Sequence, residues 1–158
     1  MTAAAQSKPL AEREVTITRV VNAPRALVFK AWTDATHLAQ WWGPKGFTNP
    51  VCEVDPRPGG TLRITMQSPD GTLYPMVAVF NEVVELERLV WTTSVEHEGN
   101  VSFDIRQVTT FADRDGKTEL TLQAFVLRST PESADALGGM EIGWSMSLDK
   151  LEVLVARA

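Results

Sequence analysis

One cysteine, Cys52, stands in a chain of 158 residues. No disulfide can form within the chain, and a reducing compartment is expected. Histidine is nearly as scarce, with only His37 and His97. These two and Cys52 show none of the close spacings from which zinc or iron sites are built, so no metal is expected. Positive charge is in deficit: 15 lysines and arginines face 20 acidic residues, for a net charge of −5. That is the opposite of the basic face a general nucleic-acid binder needs. No apolar run approaches the roughly 20 residues that span a bilayer. The opening "MTAAAQSKPLAER" lacks the basic-then-apolar pattern of a secretory signal. A cytoplasmic chain that contacts neither nucleic acid nor membrane is expected, and there the Asn100-Val101-Ser102 sequon has no use. Reaction motifs are missing too. There is no Gly-x-Ser-x-Gly elbow, "GPKG" at 43–46 lacks the spacing of a phosphate loop, and no dinucleotide fingerprint occurs, so no cofactor is expected.

What is present is an ordinary globular composition, 44% hydrophobic and 22% charged, in a length that suits one domain with a sizeable core. Residues 1–13 are small, polar and aperiodic and read as a flexible leader; 14–158 read as the domain. "EVTITRVV" at 14–21 alternates and is β-branched, as a strand does. Pro24 opens a helix that places Leu27, Val28, Ala31 and Trp32 on one face. Asp34 suits the cap of a second short helix carrying Leu38, Trp41 and Trp42, which Gly43-Pro44 ends. Six strands follow, over 51–55, 61–67, 73–84, 88–95, 101–112 and 117–127, parted by "RPGG", "SPDG", "EHEGN" and "DRDG". Leu62, Ile64 and Met66 alternate on one face, as do Leu120, Leu122, Ala124 and Val126, so the sheet needs an apolar cover. A long terminal helix over 131–157, roughly 40 Å at about 1.5 Å per residue, supplies it. Its stripe runs through Leu137, Met140, Trp144, Ser147, Leu148, Leu151, Leu154 and Val155. Gly138-Gly139 mark a kink or its beginning. The fold class is therefore α+β: a curved antiparallel sheet wrapped around a long C-terminal helix, with two short helices after the first strand.

Several stretches resemble the AHSA type, the homologues of the activator of heat-shock protein 90 ATPase, within the SRPBCC superfamily. They are "RVVNAPRALVFKAWTD" (19–34), "WWGPKGF" (41–47), "DPRPGGTLRITM" (55–66), "ELERLVWT" (85–92) and "GWSMSLDKLEVLV" (143–155). The resemblance implies the START or Bet v 1-like helix-grip fold in a β-α-α-β6-α order. It also implies a deep, mostly apolar pocket between the sheet and the C-terminal helix. Many relatives carry a histidine or polar pair before the Gly-Trp pair; this chain has Met140-Glu141-Ile142 there.

Chemistry at that pocket has few candidates. Cys52 reads as a small buried apolar group. His97 lies in a turn beside Glu96 and Glu98. His37, early in the second helix, and Glu141 are the groups an acid–base mechanism would need inside the cavity. Arg63, Arg106 and Arg128 would serve an anion only if they pointed inward, and alternation turns Arg63 outward. Tyr74, Thr93, Gln107 and Thr109 offer hydroxyls or an amide. Apolar candidates are more numerous, and the expected ligand-binding residues are Trp42, Met66, Tyr74, Met76, Trp91, Phe103, Phe125, Met140 and Trp144. Helical spacing at Trp41 and Trp42 separates neighbours by about 100°, so one ring is expected in the core and the other, Trp42, at the cavity mouth. The first reading is a protein that binds a small apolar or aromatic molecule, as a monomer or homodimer. An enzyme of the cyclase or hydrolase type acting in the same cavity comes second. A co-chaperone-like interaction module comes third.

Overall fold

The computed structural model describes residues 14–97, 100–129 and 140–156, with side chains described at 14–94, 104–127 and 142–156. Strand β1 (Glu14–Val21) leads to helices α1 (Arg25–Thr33) and α2 (Ala35–Trp41). Strands β2 (Thr48–Val54), β3 (Thr61–Gln67), β4 (Leu73–Val84), β5 (Arg88–His97), β6 (Asn100–Arg114) and β7 (Lys117–Ser129) follow. Helix α3 (Met140–Ala156) ends the described chain.

The strands form one sheet in the order β1-β7-β6-β5-β4-β3-β2, every neighbouring pair antiparallel. Consecutive hairpins build β2 to β7, and β1 closes the far edge against β7. Register shifts at Phe80/Glu82, Val95/Glu96 and Asp104/Ile105 are the irregularities that bend a sheet around its contents.

One face is the core face. Leu62 and Ile64, Ala78 and Phe80, Leu89 and Trp91, Leu120, Leu122, Ala124 and Val126 are all buried on it, each set at the spacing of two that a strand imposes. Leu148, Leu151 and Val155 of α3 are buried against this face, with Trp144 and Leu154 packed beside them, while Ile142 and Val153 point away. Arg19 of β1 fastens the helix. Its Nη1 donates to Asp149 at 2.5 Å and Glu152 at 2.7 Å, and its Nη2 donates to the Ser145 carbonyl at 3.2 Å.

The expected order of elements is the one found. Strands read over 14–21, 61–67 and 73–84 coincide with β1, β3 and β4; β5, β6 and β7 extend one or two residues further, and β2 begins three residues before the expected 51 and ends one before the expected 55. Those ends carry ladder bonds on residues with weak β propensity, such as Asn100 and Arg114. The segment expected to start the long helix, 130–139 with Leu137 and Gly138-Gly139, lies outside the described residues, as does the expected leader at 1–13.

Candidate functional site

All five tryptophans of the chain meet. Trp32 stacks on Trp144, with planes 11° apart and centroids 5.8 Å apart, and lies 4.8 Å from Trp41 and 5.8 Å from Trp91. Trp42 stands nearly perpendicular to Trp144, at 78° and 5.0 Å, and 6.1 Å from Trp91. Phe80 meets Trp91 edge-on at 5.7 Å. Offset and edge-on arrangements such as these suit the ring quadrupoles. Trp32 is fully buried, and its Nε1 has no acceptor among the described residues.

Local chemistry places these rings. Asp34 separates the two short helices, its Oδ1 accepting from the backbone N–H groups of Thr36 and His37 at 2.9 and 3.3 Å. His37 Nδ1 lies 3.0 Å from the same oxygen. That close side-chain contact, before any other cause, holds the Asp34 carboxyl below its ordinary range. Trp41 then turns inward and donates from Nε1 to the Ala31 carbonyl at 2.9 Å, which pins α2 onto α1.

Trp42 departs from the helical expectation. It is the C-cap of α2, in extended conformation at φ −67° and ψ 137°, so the 100° rule for helical neighbours does not govern it. Both rings therefore turn inward, Trp41 at 0% and Trp42 at 7% exposure. Gly43 continues the chain at φ +93°, where a Cβ would approach the Met66 sulfur to 3.0 Å. Helix α3 grips this turn. Ser147 Oγ accepts from Gly43 N at 3.0 Å and donates to the Gly143 carbonyl at 3.2 Å. Lys150 Nζ donates to the carbonyls of Trp42, Gly43 and Pro44 at 3.4, 3.1 and 3.4 Å. Asn49 Nδ2 donates to the carbonyls of Ala39 and Trp42, both at 2.9 Å. Burial lowers the Lys150 ammonium from its usual pKa.

Between α3, the Trp42 turn and the sheet lies a cavity of about 120 Å³, lined by Trp42, Met76, Trp91, Thr93, Ile105, Gln107 and Trp144. In the ladder, Ala78 is opposite Thr93 and Ala124 is opposite Gln107. The Gln107 Nε2 to Thr109 Oγ1 contact, at 3.5 Å, is the one hydrogen bond its side chain makes among the described residues.

Four of the nine expected binding residues, Trp42, Met76, Trp91 and Trp144, are brought together here, with Thr93 and Gln107 from the polar set. Others are elsewhere. Met66 is half-buried under the Gly43 turn. Tyr74 is on the inward column of β4 but near its start, where it is 45% exposed and meets Phe47 at 5.9 Å. Phe125 alternates with buried Ala124 and Val126, so its side chain is on the opposite face of the sheet. Phe103 is in β6 and Met140 begins α3; their side chains, and those of His97, Arg128 and Glu141, lie outside the described ones. Thr109 is fully buried deeper along β6. Ile105, on an alternating face of β6, also lines the cavity. Nothing in the sequence marks Ser147 and Lys150 as the residues that hold Trp42, because partners distant in sequence are revealed only by packing.

The charged candidates stand apart. His37 is half-buried beside Asp34, away from the cavity lining. Arg63 faces outward to Glu53 at 3.5 Å, and Arg106 is exposed. Cys52 is half-buried on β2, its thiol pushed up to about 11 by burial and then by Glu53. No group of three or more His, Cys, Asp or Glu residues converges on a metal position among the described residues. A second, open groove of about 480 Å³ runs beside Lys45, Phe47, Lys150 and Leu154. Its Lys150 is engaged by three carbonyls and its Asp149 by Arg19. No described helix is long and apolar enough to cross a membrane.

Comparison with known proteins agrees with this architecture. A solved protein of Nitrosomonas europaea is 27% identical, with a TM-score of 0.81, covering 93% of this chain and 96% of its own. One from Chromobacterium violaceum is also 27% identical, with a TM-score of 0.76 over 90% of this chain and 96% of its own. A Mycobacterium smegmatis structure, 24% identical, shares the fold with a TM-score of 0.76 over 93% of each chain. No curated protein matches the chain. Residues 22–156 match the family described as Activator of Hsp90 ATPase homolog 1-like protein, and the chain belongs to that family, with its helix-grip fold.

Proposed function

We propose that the protein binds a small aromatic or apolar molecule in the cavity between the sheet and α3. The observation that carries the reading is the composition of the cavity wall: three indoles, a thioether and an isoleucine around about 120 Å³, with only Thr93 and Gln107 polar. Ligand sites share this character, mostly apolar with a few placed polar groups. The size suits a single ring, since a cavity of about 150 Å³ lined by apolar side chains takes up benzene. Met76 adds a soft, adaptable wall. The reading is binding rather than turnover, because the seven lining residues offer no carboxyl, imidazole, thiol or amine as acid or base.

A titration of the folded protein with single-ring compounds tests it. Saturable quenching of tryptophan fluorescence is expected, with a Kd on the order of 0.1–1 mM for a ligand of about seven heavy atoms. Trp144→Ala is expected to shift the preference to two-ring compounds. Linear, unsaturated quenching by a broad panel of ring compounds would remove the proposal.

A further inference from the structure

The Gln107 carboxamide is a buried polar group with unused hydrogen-bonding capacity. Its residue is 4% exposed, and it lines the cavity. A carboxamide has two N–H donors and an oxygen with two lone pairs. Here one donor makes one long contact, 3.5 Å to Thr109 Oγ1. Thr93, 9% exposed, brings a hydroxyl to the same wall. The ladder sets the two close: Trp91 is opposite Gln107, and Thr93 follows two residues along β5 on the same face. Sheet interiors rarely keep a glutamine where leucine would pack, because leaving its hydrogen bonds unmade costs stability.

We infer that Gln107 is the specificity-determining residue of this cavity, and that the preferred ligand is a single aromatic ring bearing a hydroxyl, carbonyl or amide group that hydrogen-bonds to the Gln107 carboxamide, with Thr93 as second partner. This rests on the cavity-binding reading above. The tryptophans supply ring contact that any ring can use. Gln107 supplies the discrimination, since a site built to hydrogen-bond a ligand rejects the analogue that lacks the matching group.

Phenol and toluene, matched in shape, separate the two statements. Binding of each to the wild-type protein is measured by calorimetry and by 15N-resolved NMR of the side-chain amides. Phenol is expected to bind about tenfold tighter than toluene, and to shift the Gln107 carboxamide resonances where toluene does not. In Gln107→Leu the order reverses, with toluene tighter. Gln107→Met, which keeps length and flexibility, reverses it as well, so the result does not depend on one variant folding. Toluene binding as tightly as phenol to the wild type would overturn the inference and leave the cavity-binding reading standing. Saturation by neither compound would overturn both.

Discussion

Asp34 carries three tasks at one position: it stops α1, caps α2 and meets His37. Its carboxyl is held below the ordinary 3.8 chiefly by the His37 side chain. A carboxyl with a depressed folded-state pKa stabilises the native state above its unfolded value, and that stabilisation is lost as pH falls through the folded value. Asp34→Ala is expected to cost about 1 kcal/mol at neutral pH, the usual worth of an N-cap. Asp34→Asn keeps a capping oxygen and removes the charge. Its difference from wild type in urea denaturation is expected to grow as pH rises through the ordinary 3.8 and to shrink as pH falls through the lower folded-state value. Cys52 shows the reverse case. With its thiol at about 11 rather than 9.0, its thiolate fraction near pH 8 is about 100-fold below that of an ordinary cysteine, and thiolate is the reacting form. Alkylation by iodoacetamide is expected to be slower by about that factor in the native protein than in urea. The Asp34 cap was legible from sequence because it depends on neighbours within three residues. The inward turn of Trp42 was not, because it depends on Ser147, Lys150 and Asn49, which the chain brings in from both sides.

Elements were legible where one face is buried and turns are marked. Strands β3 and β4 alternate cleanly, and "SPDG" between them leaves little freedom for the ends. Phe125 shows what alternation alone leaves open: it identifies two faces, and only the packing of α3 decides which one borders the cavity. The hairpin from β2 to β3 gives a sharp test of element geometry. Gly59 has φ +84° with open space around its Cβ position, whereas a Cβ on Gly60 would come within 2.1 Å of the Asp55 carbonyl oxygen. Gly60 also accepts from Phe80 N at 2.9 Å, tying the turn to β4. Gly59→Ala is expected to cost about 1 kcal/mol for the left-handed backbone. Gly60→Ala is expected to cost about 3 kcal/mol or more, because a backbone oxygen cannot swing aside. Thermal melts of the two variants check the order.

At the scale of the whole molecule, the five tryptophans tie the elements together. Trp32 comes from α1, Trp41 and Trp42 from the end of α2, Trp91 from the sheet and Trp144 from α3, all joined by ring contacts of 4.8 to 6.5 Å. No helix can leave the sheet without breaking an indole pair. Tryptophan fluorescence therefore reports the docking of all three helices, while far-UV circular dichroism reports the backbone. A chain whose helices and sheet share one aromatic core should lose both together. Coincident urea transitions are expected for the two probes. Trp32→Ala, which removes the fully buried ring at the centre, is expected to lower stability by about 3–5 kcal/mol and still leave one transition. Trp144→Ala, on a half-buried ring that borders the cavity, should cost less, about 2 kcal/mol. A fluorescence change that precedes the loss of dichroism in the wild type would show instead that α3 undocks while the sheet persists. The cavity would then open by helix departure, and ligand would slow α3 proteolysis more than it raised the midpoint of sheet unfolding.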